Sequence, residues 1–293
     1  MQLPSGLVLL DKPSGITSFQ AIAAVKRRLG HDQVGHAGTL DRYATGLLLV
    51  LCGPLTRLAR LLADLDKSYH AWFTFGRSTD TLDPEGKVVA EADIPSRERI
   101  ERAASRCTGA VEQVPPAYSA LHVHGRRAYR LARAGETPAL RPRSVLIHRI
   151  SILRYDPPEL ELAIDCSKGT YIRALARDMG TEAGSCAYVT GLRRTRVGGF
   201  RVEEAVAPDK FSPEHDLLPA KVLVSRLEQI RAVEIREELR ENILNGLPIG
   251  GGNTAFERDG LYALFDDQDR LVAVMERKKD KNAYLAVFRE GCR

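Results

Sequence analysis

A glycine-rich stretch reads GHAGTLD at residues 35–41 and continues as ATGLL at residues 44–48. The glycines predict a loop over residues 35–41, and the apolar run that follows predicts a buried strand over Leu47–Cys52. Because loops held by strands expose functional groups, Asp41 at the end of this loop is a candidate nucleophile or general base. The alternative is that Asp41 caps the turn before Ala44.

Outward from this stretch, the sequence predicts strands and helices in an irregular order. A short apolar strand at Gly6–Leu10 precedes a turn, and Thr17 with Gln20 forms a capping box that predicts a helix as far as Gly30. The other predicted elements are a helix near Leu55–Leu65, a strand at Tyr69–Gly76, a helix from Ser96 through Arg106, a strand at Leu160–Asp165 and a helix at Thr170–Gly180. Since strands and helices do not alternate regularly, the pattern favours an α+β domain over a doubly wound sheet.

The composition is that of a folded protein with about two domains: 293 residues, 44% hydrophobic and 28% charged. The longest apolar runs have six residues, too few for a membrane helix or a signal peptide. The five cysteines form no C-x-x-C pair, so we expect a cytoplasmic protein. Past Leu227 the sequence changes to short strands such as Leu261–Phe265 and Leu271–Met275. We therefore predict one domain over residues 1–228 and a second over residues 229–293.

Positive charge is concentrated in an arginine-rich segment, residues 121–149, although the net charge is only +5. Its basic side chains are Arg126, Arg127, Arg130, Arg133, Arg141, Arg143 and Arg149, and its acid is Glu136. A second acid-free cluster, around Gly198 and Gly199, consists of Arg193, Arg194, Arg196 and Arg201. The planar guanidinium suits phosphate, so a polyanion is a candidate partner. The alternative is a solvated face.

The motifs typical of metal and nucleotide-cofactor enzymes are missing from the sequence. It has no Walker loop, no G-x-G-x-x-G and no H-E-x-x-H, and the close pair His122 and His124 has no Cys or carboxylate beside it. We therefore expect no metal and no cofactor. The remaining candidates for chemistry are Asp41 and Arg173, which ends a Gly-Thr-Tyr-Ile-Arg run.

Residues 35–41 with residues 44–48 resemble the signature of the TruB-type tRNA pseudouridine synthases. Further blocks match that family in its order: Asp11-Lys12-Pro13 with Gly15 and Thr17-Ser18; Lys67 and Tyr69; Gly76 with Thr79-Asp80-Thr81 and Asp83 to Gly86; Pro115 to Ala120; Cys166 to Arg173; and Leu192 to Thr195. More faintly, Asn245 to Ile249 resembles part of the family's PUA-like domain. Two positions depart from the family pattern, since Arg42 stands where proline is usual and His122 where lysine is usual.

The resemblance implies a fold and an activity. The fold is α+β, a mixed, largely antiparallel sheet with flanking helices, followed by a small C-terminal β-rich PUA-like RNA-binding domain. The activity is isomerisation of a uridine in the T-arm of tRNA, at position 55, to pseudouridine. The reaction involves no redox change and no lost group, so it needs no cofactor. The implied partner is tRNA, with no membrane and no protein partner, and the implied state is a monomer.

The resemblance also assigns roles to individual residues. Asp41 would be the nucleophile or base, and Arg173 would pair with it, whereas otherwise Arg173 would be an ordinary helix-surface arginine. Tyr69 would stack on the flipped uracil, and His36 could contact RNA near it. Further pocket residues would be Tyr171, Leu192 and, as a structural or pocket-wall acid, Asp80. The RNA backbone would be held by Arg126, Arg127, Arg130, Arg133, Arg141 and Arg143 in an RNA-gripping insertion.

Core packing is the plain alternative for Tyr69, Tyr171 and Leu192, and a structural role is the alternative for His36. Two other classes of protein also stay open. A non-catalytic RNA-binding or RNA-folding scaffold would need neither Asp41 nor Arg173. A nucleoside or glycoside hydrolase would need a second acid near Asp41, for which Asp80 and Asp83 are the candidates.

Overall fold

The structure is a computed structural model that describes residues 4–119, 121–123, 125–247, 249, 256, 258–279 and 281–292. Ala120, His124 and Pro248, which belong to patterns named above, lie outside these residues. The chain forms two compact units. The first contains Met1–Asp41, Leu47–Ala63 and Gly198–Arg293, and the second contains Arg42–Gly46 and Asp64–Val197.

The strands are β1 (Gly6–Lys12), β2 (Val34–Ala37), β3 (Thr45–Cys52), β4 (Lys67–Phe75), β5 (Arg77–Thr79), β6 (Val88–Glu91), β7 (Gly109–Gln113), β8 (His122–Val123), β9 (Arg126–Arg127), β10 (Arg143–Asp156), β11 (Glu159–Cys166), β12 (Ala187–Val197), β13 (Phe200–Arg201), β14 (Ile230–Glu234), β15 (Gly260–Phe265), β16 (Leu271–Lys278) and β17 (Lys281–Cys292). The α-helices are α1 (Ser18–Leu29), α2 (Ala59–Ala63), α3 (Arg97–Arg106), α4 (Ala128–Arg133), α5 (Ile172–Glu182), α6 (Pro213–Asp216), α7 (Ala220–Ser225) and α8 (Glu237–Leu244), and 3-10 turns lie at Gly53–Leu58 and Val202–Glu204. No helix in the described part of the chain is long and apolar enough to cross a membrane.

The second unit is built on a sheet with strand order β12-β4-β11-β10-β7, in which every neighbouring pair is antiparallel. Along β11 the side chains of Leu160, Leu162 and Ile164 are buried, while the residues between them are more exposed, as expected when one face of a sheet meets the core. Helix α5 packs against β12 and α3. The predicted α+β fold with a largely antiparallel sheet is thereby confirmed.

In the first unit, the start of α1 follows the sequence closely. Thr17 caps the helix and makes the full capping box with Gln20, and Gly30 ends it in the left-handed conformation at φ 72°. Strand β1 covers the predicted strand and continues to Lys12. Strand β3 is buried along Leu47–Cys52, as predicted from its continuous apolar run.

The prediction of a loop over residues 35–41 is wrong at its beginning. Gly35, His36 and Ala37 belong to β2, which pairs antiparallel with β3 so that His36 lies opposite Val50. Glycine lowers strand propensity, but pairing with a fully buried neighbouring strand overrides that local preference. The helix predicted near Leu55–Leu65 is shorter than expected, because a 3-10 turn occupies Gly53–Leu58 and only Ala59–Ala63 is α-helical.

The C-terminal part of the first unit is rich in strands, as predicted. Its sheet has the order β14-β15-β16-β17, with β14 and β15 parallel and the other pairs antiparallel. A cluster of buried side chains that includes Ile243, Phe256, Tyr262, Leu264 and Met275 forms its core. The domain boundary after residue 228 stays a prediction.

Candidate active site

The loop that carries Asp41 is held in place through the residue before it. Ser18, the first residue of α1, is 2% exposed, and its hydroxyl group binds both backbone polar groups of Leu40. The Leu40 amide donates to Ser18 Oγ at 2.9 Å, and Ser18 Oγ donates to the Leu40 carbonyl at 3.1 Å. Because the Leu40 side chain is also buried, the chain is anchored immediately before the half-buried Asp41.

The start of α1 is itself fixed by local contacts. The Gln20 amide donates to Thr17 Oγ1 at 3.1 Å, and the Thr17 amide donates to Gln20 Oε1 at 2.8 Å. Before the helix, Lys12 is buried and its ammonium group donates to the carbonyls of Pro13 at 2.9 Å and Ile16 at 2.8 Å. The two Lys12 bonds order the turn that leads into the helix.

In the second unit, Arg173 is a buried charged residue on α5, 4% exposed. It donates to the carbonyls of Thr81 at 3.0 Å and Tyr118 at 2.9 Å, and its guanidinium lies 3.3 Å from a carboxylate oxygen of Asp83. Asp83 is equally buried, at 5% exposed. The helix-surface alternative for Arg173 is therefore wrong, because a desolvated guanidinium needs the carbonyl and carboxylate partners it has here.

Asp83 is in turn held by its own loop. Its carboxylate accepts hydrogen bonds from the Thr81 hydroxyl at 2.5 Å and from the Glu85 amide at 3.0 Å. Its amide donates to the Thr79 hydroxyl at 3.0 Å. By contrast, Asp80 is exposed, and its carboxylate accepts a bond from the Lys87 amide at 2.9 Å. The sequence did not predict the Arg173–Asp83 ion pair, and its only signal was the dense run of Thr, Asp and Gly at residues 79–86.

Tyr69 lies on β4 opposite Arg194 of β12, and the two side chains are hydrogen-bonded to each other. Arg194 is 1% exposed, and burial lowers the pKa of its guanidinium, an effect that the Tyr69 hydrogen bond opposes. Gly46 pairs with Arg194 from the other side, and a Cβ atom on Gly46 would lie 2.3 Å from the Arg194 carbonyl oxygen. The Ala-Thr-Gly part of the quoted stretch therefore needs glycine because another backbone approaches it closely.

Lys67, two residues before Tyr69, is 7% exposed. Burial, and secondly the positive charge of Arg194, lower the pKa of its ammonium group to about 8. Since a lysine in the unfolded chain titrates at about 10.4, the unfolded chain binds more protons than the folded protein above pH 8.

We expect the wild-type protein to gain stability relative to a Lys67→Met variant as the pH rises from 8. The free energy of unfolding of the wild type minus that of the variant should rise by about 1 kcal/mol between pH 8 and pH 9, as measured by urea unfolding at both pH values. Burial raises the pKa of the Cys52, Cys107 and Cys166 thiols to about 12, so these groups stay protonated in both folded proteins between pH 8 and pH 9, and their ionisation in the unfolded chain is common to both. The same substitution at the exposed Lys87 is the control, and a pH-independent difference for Lys67→Met would contradict the assignment.

The other predicted site residues divide between the units. His36 and Asp41 lie in the first unit, and the remainder lie in the second: Tyr69, Asp80, Tyr171, Arg173 and Leu192. Tyr171 directly precedes α5, where its amide donates to Gln113 Oε1 at 2.8 Å. Leu192 is buried on β12, and His36 is half-buried on β2. The pairing of Asp41 with Arg173 stays a prediction.

The arginine-rich segment consists of several elements. Strands β8 and β9 form a small hairpin followed by α4, whereas Arg143 already begins β10 of the main sheet. All six arginines predicted to hold the RNA backbone are exposed: Arg126, Arg127, Arg130, Arg133, Arg141 and Arg143. Tyr129 lies beside two of them, with the guanidinium carbons of Arg130 and Arg133 at 6.0 and 5.7 Å from its ring centre. In the described residues, no group of three or more His, Cys, Asp and Glu side chains is arranged to hold a metal ion.

Comparison with solved structures shows the same fold in proteins of low sequence identity. The chain matches a Cbf5–Nop10–Gar1 complex with a TM-score of 0.72 and 23% identity, covering 98% of this chain and 84% of that chain. It matches an H/ACA RNP bound to a substrate RNA containing 2′-deoxyuridine with a TM-score of 0.69 and 21% identity, covering 97% of this chain and 84% of that chain.

Sequence comparison gives much closer relatives. The tRNA pseudouridine synthase B of Thermobifida fusca (strain YX) is 38% identical over 296 residues, covering 98% of this chain and 99% of the relative. The protein of the same name from Pseudomonas aeruginosa (strain UCBPP-PA14) is 42% identical over 212 residues, covering 72% of this chain and 70% of the relative. Residues 26–172 match the N-terminal domain of the TruB family pseudouridylate synthases. The motifs, the fold and these matches together show that the chain belongs to the TruB family of pseudouridylate synthases.

Proposed function

We propose that this chain is an isomerase that converts a uridine of tRNA, at position 55 in the T-arm, to pseudouridine. The observation that carries the proposal is the match to a tRNA pseudouridine synthase B over 98% of this chain. Two features support it: the anchored loop before Asp41 and the buried Arg173–Asp83 ion pair. Both bury polar or charged groups, which costs desolvation free energy, and both hold a charged group in one orientation.

The reaction itself defines what the chain must supply. The bond from ribose C1′ to uracil N1 breaks, the base turns, and a bond from C1′ to C5 forms. The proton leaves C5 and N1 gains one, so atoms and electrons balance without an oxidant or reductant. We propose that Asp41 supplies the carboxylate, either by covalent addition or by taking a proton. Attack at the sugar, attack at the base and proton removal from the sugar all use this same group.

We propose that Arg173 and Tyr69 shape the site around that carboxylate. Arg173 would orient Asp41 and favour its ionised form, and its fixed bonds to Thr81, Tyr118 and Asp83 support this role. Tyr69 would stack on the extruded uracil, since an aromatic face offsets part of the unstacking energy. Its bond to the buried Arg194 supports a ring held in one position. Tyr171 and Leu192 would line the pocket.

Tritium release tests the activity directly. The purified protein is incubated with unmodified tRNA labelled with tritium at uridine C5. We expect tritium to pass into water while the base stays attached to the RNA. Release of free uracil would instead identify a hydrolase. Binding of tRNA without any tritium release would identify a non-catalytic RNA-binding scaffold.

We further propose that the exposed arginines of residues 121–149 hold the phosphate backbone. Arg126, Arg127 and Arg130 are exposed on the β8–β9 hairpin and α4, and the Arg126 guanidinium lies 3.1 Å from the Glu136 carboxylate. Phosphate contacts of this kind supply affinity without reading the base sequence. Recognition of the substrate would then depend on RNA shape and on the flipped nucleotide.

Replacing Arg126, Arg127 and Arg130 together by Gln should weaken tRNA binding and flatten its salt dependence. The slope of log Kd against log salt should fall by roughly 0.7 to 0.9 for each phosphate group that the variant no longer neutralises. Filter binding at several salt concentrations measures it. The control replaces Arg97, Arg102 and Arg106 of α3, which changes the net charge equally. Equal slopes for the wild type and the first variant would mean that these arginines do not contact phosphate and form only a solvated face.

For the remainder of the chain, we propose that residues 229–293 form a PUA-like domain that adds a remote RNA contact. Its strand-rich sheet and separate buried cluster support this assignment. We also propose that the protein acts in the cytoplasm as a monomer without a protein partner or cofactor.

A further inference from the structure

We infer that Ser18 is a positioning residue that sets the place of the Asp41 carboxylate by clamping the backbone of Leu40. The inference rests on the proposed role of Asp41. It concerns a side chain that takes no part in the chemistry and lies 22 residues before the backbone it binds.

The clamp uses a single hydroxyl group as both donor and acceptor. Ser18 Oγ accepts from the Leu40 amide at 2.9 Å and donates to the Leu40 carbonyl at 3.1 Å. Both contacts are buried, so water does not compete for them. With the amide, the carbonyl and the apolar side chain of Leu40 all held, the Cα atom of Asp41 lies only about 3.8 Å from a fixed point.

The helix does not need this hydroxyl for itself. A serine at a helix start usually serves as the cap, but in α1 that task belongs to Thr17 with Gln20. Ser18 is the next residue, and its side chain crosses to the loop. The two adjacent residues therefore have different roles: Thr17 caps the N-terminus of α1, and Ser18 anchors the loop at Leu40.

The loop needs such an anchor because of its own composition. Gly38 has φ 85°, in the region that favours glycine, and residues 38–44 between β2 and β3 belong to no helix or strand. A reacting group displaced by about 1 Å can lose 10²-fold in rate. We therefore expect the clamp to act on the chemical step and not on RNA affinity.

The test compares Ser18→Ala with Thr17→Ala, a matched control on the adjacent residue. Thr17→Ala removes the helix cap and leaves the clamp, whereas Ser18→Ala removes the clamp and leaves the cap. We expect Ser18→Ala to slow single-turnover tritium release at saturating enzyme by roughly 10- to 100-fold, with tRNA Kd within about twofold of wild type. Thr17→Ala should lower the melting temperature about as much as Ser18→Ala does, and its rate should stay within about threefold of the wild-type rate. Ser18→Thr, which keeps the hydroxyl, should recover most of the rate.

Should Ser18→Ala fail to fold, Ser18→Cys provides the same comparison with a weakly bonding thiol. Wild-type speed in either folded variant would overturn the inference, and so would equal slowing by Ser18→Ala and Thr17→Ala. Asp41→Asn is measured alongside. An inactive Asp41→Asn with a fully active Ser18→Ala overturns the positioning role alone, whereas a wild-type protein that releases no tritium overturns the proposed function as well.

Discussion

Asp41→Asn will leave tRNA binding near the wild-type level and slow isomerisation by at least about 10²-fold. Asparagine keeps the size of the side chain and much of its hydrogen bonding, and the Ser18 clamp on Leu40 does not involve the side chain that changes. The substitution removes the negative charge and the ability to add covalently or accept a proton. Removing such a group lowers rates by on the order of 10²- to 10⁴-fold. Single-turnover tritium release, with Kd from filter binding, separates chemistry from affinity.

A matched acid in the same unit provides the control for Asp41→Asn. Asp32 has a largely exposed side chain and lies 3.4 Å from Lys26, so Asp32→Asn removes one negative charge at the surface without touching the loop. It should react at the wild-type rate. If Asp41→Asn stayed active, the catalytic assignment of this residue would be wrong, whereas a joint loss of binding and activity would point to a structural role.

Arg173→Lys will produce a folded protein that reacts far more slowly. The guanidinium reaches the Thr81 and Tyr118 carbonyls and the Asp83 carboxylate together. A single ammonium group keeps the charge but loses this planar, multi-pronged geometry, so at least one buried acceptor loses its partner. We expect a stability loss of about 1–3 kcal/mol from the unpaired group. The chemical step should slow on the order of 10²-fold, because small displacements of a reacting group, here the Asp41 carboxylate, lower the rate steeply.

The same substitution one turn further along α5 separates the two effects. Arg177 is more exposed and donates to the Val114 carbonyl at 2.9 Å, so Arg177→Lys tests a less critical arginine on the same helix. Urea unfolding and single-turnover rates should both stay near wild type there. If the Arg173→Lys protein reacted at the wild-type rate, the proposal that Arg173 and its partners orient the reacting groups would be wrong. The Asp83→Asn variant should then also be fully active.

Much of the fold could be predicted locally. Three local predictions are confirmed: the capping box at Thr17 and Gln20, the end of α1 at Gly30, and the buried strand Leu47–Cys52. Each depends on hydrogen bonds or a burial pattern among residues that are close together in the sequence. The family could also be predicted, since its motifs are short blocks in fixed order. The loop prediction failed at Gly35–Ala37 because the partner strand, not the local sequence, decides whether a glycine-rich segment pairs.

The α+β class, the start and end of α1, the TruB-type motifs and the candidate groups Asp41 and Arg173 can all be predicted from the amino-acid sequence. The tertiary contacts show, in addition, that Asp83 is the ion-pair partner of Arg173, that Arg194 is buried against Tyr69, and that Ser18 binds Leu40. The physical reason is that local preference depends on neighbours along the chain. Whether a buried polar group is satisfied depends on groups that folding brings together, and these lie 22 to 125 residues apart here.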